Sequence, residues 1–479
     1  KPYRSTDLYA AVKGIDFIID GHSHTVMTKG ENGEPIQSTG TAFANIGVIV
    51  IDDATKKIES NSLFEIKEDT AKDATVAAAA QKIIDRIDKE YGAVFAKSEV
   101  VLNGAKAPNG NRDSETNNGD LITDAMVWKI LQDKESLTVD ADHVVAVTNG
   151  GGIRKAINPG DVTKKNINEV LPFGNTVVTI YITGAELLEA LEASTYCTPD
   201  AIGGFPQVSG INYTISTAVA YDANAETYPA STYYGPKSIN RVTINSINGK
   251  EFKADDTYAV ITNDFCGGGG DTYYAFAAAT AKFDTGIPLD EVVMEYITAE
   301  LKGVIGAQYA APQGRILMNP FKDVKVSSWF GKYVIDLYND GIINGTSATT
   351  YAPNNTLTWA AALKLLLVSN GDLKAADATG ADWSKNAIAK AAELGLVAAD
   401  LDGAKAISRL EFCQVAAKLN KLAESKTESK FTDCTDGYVM ALVDAKVING
   451  MTETTFEPSA TLTRAQIAKI IYQLNLIEK

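Results

Sequence analysis

Apolar and polar positions first separate cleanly at "IDFIID", from Ile15 to Asp20. This run predicts a short buried strand ending in an Asp-Gly turn, fed by a helix in the residues before it. "PIQSTG" and "NIGVIVID" predict further strands, and "DDATKKIES" turns the last of them. Three or four strands do not close a core of their own, so residues 1–68 read as the last part of a larger domain. Residues 69–95 are Ala-rich, with Ile83, Ile84 and Ile87 on one stripe and charges opposite. That pattern predicts a long connector helix.

From 96 to 318 helical and strand periods mix without strict alternation, which predicts an α+β domain. "NGDLITDAMVWKIL" and "TGAELLEALEAS" read as amphipathic helices; "HVVAVTN", "NTVVTIYIT", "INYTIS", "RVTINSI" and "TYAVITNDF" read as strands. After Pro320 the texture changes to a repeat. "GKYVIDLYNDGIINGTSATTYAPNNTLTWAAALKLLL" and "DGYVMALVDAKVINGMTETTFEPSATLTRAQIAKIIY" align at a constant offset, Tyr333 on Tyr438, Gly345 on Gly450 and Thr358 on Thr463. A weaker copy from Trp383 lies between them. The three copies, at about 319–370, 376–422 and 429–479, each read as helix–loop–helix. One such unit cannot bury its apolar face alone, so the three are expected to pack into one all-α bundle.

Composition narrows the class. The chain has 479 residues and a net charge of −16. No Lys/Arg cluster interrupts that acidity, which argues against nucleic acid and anionic membranes as partners. No apolar run is long enough to span a membrane. Cys197, Cys266, Cys413 and Cys434 form no CxxC pair and lie far from the histidines, which disfavours a zinc site built on them. Their scarcity fits a cytoplasmic protein or a disulfide-poor bacterial surface protein. The chain opens in mid-fold without Met, so the true N-terminus and any targeting segment are expected upstream of Lys1.

The pattern "F-x-D-V … W … GIING … Y-x-P … LT-x-A" resembles the S-layer homology repeat. The resemblance covers 319–479, with "LTRAQ" at 462–466 as its most specific piece. It implies a pseudo-threefold domain that anchors proteins to an anionic secondary cell-wall polymer. The arginine of the family's "TRAE" motif lies in its ligand grooves. The matching stretches here are "TWAA", "SRLE" and "TRAQ", so Arg409 and Arg464 are candidate polymer ligands, and Trp359 replaces the arginine in the first repeat. Guanidinium suits a carboxylate because it can donate to both oxygens. The plainer reading is that these arginines cap helix starts.

Between 96 and 318, "NRDSETNNGDL", "VTNGGGIR", "LPFGNTVV" and "NDFCGGGGDTYYAF" are unusual. Consecutive glycines after a strand can bring backbone N–H groups close to an anion or a sugar. Without a ligand the same glycines make only a tight turn. An arginine, aromatic residues and a carboxylate beside such loops are the groups that meet phosphate, base and ribose. With "GHSH" at 21–24, these stretches resemble the 5′-nucleotidase family over residues 1–318. The implied architecture is multidomain: part of an α/β metallophosphoesterase sandwich (1–68), a connector helix (69–95), an α+β 5′-nucleotidase C-terminal domain (96–318) and the all-α S-layer homology bundle (319–479). The resemblance implies that Phe173 and Phe265 sandwich the base, and that Asp271 holds the ribose hydroxyls. Arg112, Asn149, Gly151, Gly152 and Arg154 would contact the ribose-phosphate region.

In that family the two histidines of "GH[ST]H" ligate a dinuclear metal centre, which makes His22 and His24 the metal candidates. Two divalent ions, zinc, manganese or similar, would then activate water for attack on phosphorus. The family's other metal motifs, including the one that supplies the catalytic histidine, do not occur here. His143, the one histidine left, reads as structural. Catalytic residues are therefore expected upstream of Lys1, and this chain alone is expected to hydrolyse nothing. The reading is a secreted nucleotide phosphohydrolase held on the wall of a Gram-positive-type bacterium. UDP-sugars or 2′,3′-cyclic nucleotides would use the same pocket. The other class left open is a non-catalytic, wall-anchored protein with a vestigial nucleotidase fold.

Overall fold

The computed structural model describes residues 4–220, 228 and 236–477, so the last two residues of the third repeat lie outside it. The described chain forms two units. One is built on residues up to Val94 together with 163–165, the other on the rest from Phe95.

The first unit contains α1 (Ser5–Ala11), β1 (Ile18–Asp20), β2 (Val26–Met27), β3 (Ile36–Thr39), β4 (Asn45–Ile51), β5 (Ile58–Glu65) and α2 (Ala74–Tyr91). β3 lies between β1, its parallel partner, and β2, its antiparallel one. β4 and β5 form a hairpin. The strand expected to be buried is not: Ile19 is 77% exposed. Ile83, Ile84 and Ile87 of α2 are exposed too, although their helical stripe is present. Asp73 caps α2 by accepting from the amides of Thr75 and Val76, so the helix starts later than residue 69.

The second unit opens with β6 (Val94–Ser98), α3 (Asn117–Leu131), β7 (Val144–Asn149), β8 (Gly160–Thr163), α4 (Lys164–Val170), β9 (Thr176–Thr183) and α5 (Gly184–Ser194), taking β6, β8 and α4 apart from their residues 94 and 163–165. It continues with β10 (Pro206–Ser209), β11 (Ile211–Ile215), β12 (Val242–Ile247), β13 (Thr257–Asn263), α6 (Asp264–Gly267), β14 (Ala281–Pro288), α7 (Leu289–Ala299), β15 (Val304–Ile305) and β16 (Ile316–Met318). Its main sheet runs β10-β7-β13-β9-β14, with β7 and β13 parallel and the other pairs antiparallel. Val144 and Ala146 face the core shared with α3 and α7, whereas Val145 and Val147 face the core shared with α5. The period of two thus serves two buried faces, which is why β7 reads as an uninterrupted apolar run. Smaller sheets, β12-β11-β16 and β15-β6-β8, flank it.

The repeats supply α8 (Gly331–Asn339), α9 (Trp359–Ser369), α10 (Trp383–Glu393), α11 (Arg409–Leu419), α12 (Gly437–Asp444) and α13 (Arg464–Asn475). All six contribute to one apolar core. Their second helices interlock in a cycle. Trp359 and Ala360 donate from their amides to the carbonyls of Lys405 and Gly403; Arg409 and Leu410 donate to Ala460 and Pro458; Arg464 and Ala465 donate to Asn355 and Pro353. Each repeat docks its second helix on the loop of the next, and the third docks on the first. That closed ring is what three units need in order to cover one another's apolar faces.

Candidate nucleoside site and repeat grooves

β7 delivers Asn149 to the end of the main sheet, and Gly150–Gly152 turn once beyond it. A Cβ on Gly150 would lie 1.6 Å from the Asn111 carbonyl oxygen, and one on Gly151 2.9 Å from that of Gly203. The glycines are therefore required by backbone approach. Two of their three amides are also committed internally. Gly150 donates to the Phe205 carbonyl and Gly151 to that of Gly203, both at 2.7 Å.

Below this turn lies a buried polar chain. Asn149 Nδ2 donates to Asp271 Oδ2 at 2.7 Å. Asn149 Oδ1 accepts from Asn263 Nδ2 at 3.1 Å. Asn263 in turn caps α6, its Oδ1 accepting from the Cys266 amide at 2.8 Å. Asp271 is held in the left-handed region at φ 51°, a conformation that Asp tolerates better than most residues.

The two phenylalanines stand at the surface, Phe173 59% and Phe265 46% exposed. Phe173 lies on the turn after α4, and the Arg154 guanidinium sits 5.6 Å from its ring centroid. Arg154 Nη1 also donates to the Gly151 carbonyl at 3.2 Å. Phe265 packs against Gly270, where a Cβ would come within 2.6 Å of the ring. Asn175 Nδ2 donates to Asp264 Oδ1 at 2.7 Å, joining the two phenylalanine segments. Arg112 is half-buried, on a loop whose carbonyl accepts from the Ile202 amide at 2.9 Å. Gln207 holds the same loop, donating to the Ser114 carbonyl at 2.7 Å and accepting from the Thr116 amide at 3.0 Å.

Asn149, Gly151, Gly152, Arg154, Phe173, Phe265, Asp271 and Arg112 are thus linked through a few shared contacts. Asn263, Asn175 and Gln207 were not among the residues singled out in the sequence. Of the three, only Asn263 carries a local sign, an N-cap residue ahead of "DFCG".

His22 and His24 belong to the first unit, on the exposed turn after β1. His24 has φ 58°, and its amide donates to the Gly21 carbonyl at 2.8 Å. Among the described residues no three His, Cys, Asp or Glu side chains converge as a metal site. Two imidazoles alone do not furnish a two-metal centre.

In the repeats, Thr358, Ser408 and Thr463 cap the second helices. The next residue is then Trp359, Arg409 or Arg464. Arg464 donates from Nε to the Tyr351 carbonyl at 2.7 Å and from Nη2 to that of Asn344 at 2.8 Å, 4.4 Å from the Tyr351 ring centroid. Arg409 donates from Nη2 to the Asn449 carbonyl at 2.6 Å, 4.6 Å from the Phe456 centroid. Asn344 and Asn449 correspond in the repeat, as do Tyr351 and Phe456. Buried Arg409 Nε has no hydrogen-bond partner. It borders a 390 Å³ groove lined by Trp329, Tyr333, Lys446, Asn449 and Lys469. Lys364 faces Trp383 at 5.4 Å, and burial followed by the nearby Arg464 charge lowers its pKa.

The family model "5′-nucleotidase, C-terminal domain" matches residues 94–278. The model "S-layer homology domain" matches 320–362 and 433–468, the first and third helix pairs. The chain carries a 5′-nucleotidase C-terminal domain and S-layer homology domains. The latter indicate association with the cell surface or S-layer.

The chain is 33% identical over 331 residues to the trifunctional nucleotide phosphoesterase protein YfkN of Bacillus subtilis (strain 168), covering 65% of this chain and 20% of that protein. It is 28% identical over 335 residues to Protein 5NUC of Lutzomyia longipalpis, covering 63% and 55% respectively. It is 27% identical over 336 residues to the 5′-nucleotidase of Homo sapiens, covering 64% and 55%. The chain thus spans about half the length of the latter two relatives and a fifth of the first. The 5′-nucleotidase precursor of Thermus thermophilus is similar at 26% identity and a TM-score of 0.47, over 63% of this chain and 59% of that one.

Proposed function

We propose that the chain is the nucleoside-binding and wall-anchoring part of a secreted, metal-dependent nucleotide phosphohydrolase of a Gram-positive-type bacterium. The observation that carries the reading is the Asn149–Asp271 pair, buried beneath the Gly150–Gly152 turn and flanked by two exposed phenylalanines. A base stacked between Phe173 and Phe265 would gain roughly 1–3 kcal/mol. Asp271, oriented by Asn149, would accept from ribose hydroxyls. Arg154 and Arg112 would face the phosphate side. The two divalent metals, zinc, manganese or similar, would take His22 and His24 together with further ligands that are not among the described residues. When bound, such a pair supplies activated water and charge neutralisation at phosphorus.

The cationic surroundings of Arg409 and Arg464, with Lys446, Lys469 and Lys364 close by, support an anionic wall polymer as the second partner. The likeness to a trifunctional nucleotide phosphoesterase of B. subtilis supports a nucleotide phosphoester as substrate; UDP-sugars and 2′,3′-cyclic nucleotides are the alternative substrates of the same pocket.

Calorimetry of the purified chain with adenosine tests the site. Heat of binding is expected, and it should vanish when Phe173 and Phe265 are both replaced by Ala. Both rings are surface-exposed, so the variant should stay folded. Unchanged affinity in the double variant would remove these residues from the site.

A further inference from the structure

A cleft of 860 Å³ opens on the outer face of the β12-β11-β16 sheet. This is within the ~300–1,000 Å³ span of small-molecule sites. Its lining combines aliphatic Ile244, Leu317, Val326 and Ile335 with a polar ladder. Asn245 Nδ2 donates to Asn212 Oδ1 at 2.8 Å and lies 3.0 Å from Thr214 Oγ1, while Asn212 Nδ2 donates to the Gly314 carbonyl at 2.7 Å. Thr243 and Asn245 alternate with buried Val242 and Ile244, so both present their side chains to solvent. The opposite wall is α8. Asn339 of α8 fastens it to β16, its side chain exchanging hydrogen bonds with the Met318 backbone at 2.9 Å in both directions. At one end stands half-buried Phe252, held by stacking on buried Tyr258 at 6.2 Å and 20°.

The lining selects the chemistry of an occupant. Carboxamides and hydroxyls both donate and accept, as sugar hydroxyls do. A fixed aromatic ring offers an apolar face to the C–H side of a pyranose. The charged groups are Glu251, Asp336 and Lys332, and Lys332 is already paired with Asp336. The balance is therefore negative, opposite to the arginine-bordered groove of the repeats. We propose that this cleft is a second carbohydrate site, which takes a neutral oligosaccharide of two to three rings rather than an anionic one.

Calorimetric titration of the full chain with triacetylchitotriose and with cellotriose is the test. At least one is expected to bind. Asn245→Ala should weaken binding about five- to tenfold, the loss of one or two neutral hydrogen bonds. Thr243→Trp, which fills the cleft from an exposed position, should abolish it. Hydrogen exchange with saccharide bound should slow in residues 243–246 and 326–336. Absence of heat with both trisaccharides at millimolar concentration would overturn the proposal. So would binding unchanged by both variants, or tighter binding of trigalacturonate.

Discussion

Asn175 donates to Asp264 at 2.7 Å, and through this one hydrogen bond the turn carrying Phe173 is tied to the helix carrying Phe265. If the two rings form the walls of a base site, their spacing depends on this tie. Asn175→Ala should then lower adenosine affinity about five- to tenfold, because a loosened site pays an ordering cost on binding. Calorimetry measures the affinity, and Asn175→Asp, which sets two carboxylates against each other, should be worse than Ala. Equal affinity in all three proteins would show that the walls are set elsewhere.

Asn149 does two jobs for one buried carboxylate: it donates to Asp271 and is itself oriented by Asn263. Asn149→Ala would strand the Asp271 oxygen in a nearly dry setting and leave Asn263 Nδ2 with only its bond to Thr148 Oγ1 at 3.0 Å. The expected loss is ~1–3 kcal/mol. Urea unfolding followed by circular dichroism checks it. Asn149→Asp should be no better, because it places a second acid beside Asp271.

What could be read from the sequence divides along physical lines. β7 and β13 were legible because both faces of the sheet are covered, so burial leaves a continuous apolar run. The constant repeat offset was legible from Tyr333 and Tyr438 or Gly345 and Gly450, but the shared role of Tyr351 and Phe456, and of Asn344 and Asn449, around an arginine was visible only in the structure. The ties made by Gln207, Asn175 and Asn263 were not legible. Their partners lie 91, 89 and 114 positions away, and an amide carries no period that betrays such a contact. The exposure of Ile19 was equally unreadable, since an apolar run states what a strand could bury but not what covers it.

Asp120 is fully buried at the start of α3, and burial together with the Glu115 charge pushes its pKa up to about 8, against the pull of Arg315. In the unfolded chain the same carboxyl titrates near ~4. The folded state therefore holds the proton more tightly. Asp120's contribution to stability is present in acid and is lost as pH rises through about 8. Asp120→Asn removes this titration. Relative to the parent, the variant should gain on the order of 1–3 kcal/mol between ~pH 5 and ~pH 8. Urea midpoints at the two pH values decide it, and a pH-independent difference would mean that Asp120 is ionised throughout.

Arg464 and Arg409 occupy equivalent places but are differently engaged by the fold. Arg464 donates to two carbonyls of the first repeat, Arg409 to one of the third. Truncating Arg464 should cost ~1–3 kcal/mol of stability, and truncating Arg409 less. Sedimentation with purified cell walls should fall for both variants if guanidinium contacts the polymer, and added salt should weaken what remains. Replacement by Lys separates the causes. It keeps the charge but loses the two-pronged donor geometry, so a polymer read by its carboxylates should discriminate Arg from Lys. If instead wall binding tracked thermal stability across all four variants, the arginines would be holding the repeats together and nothing more.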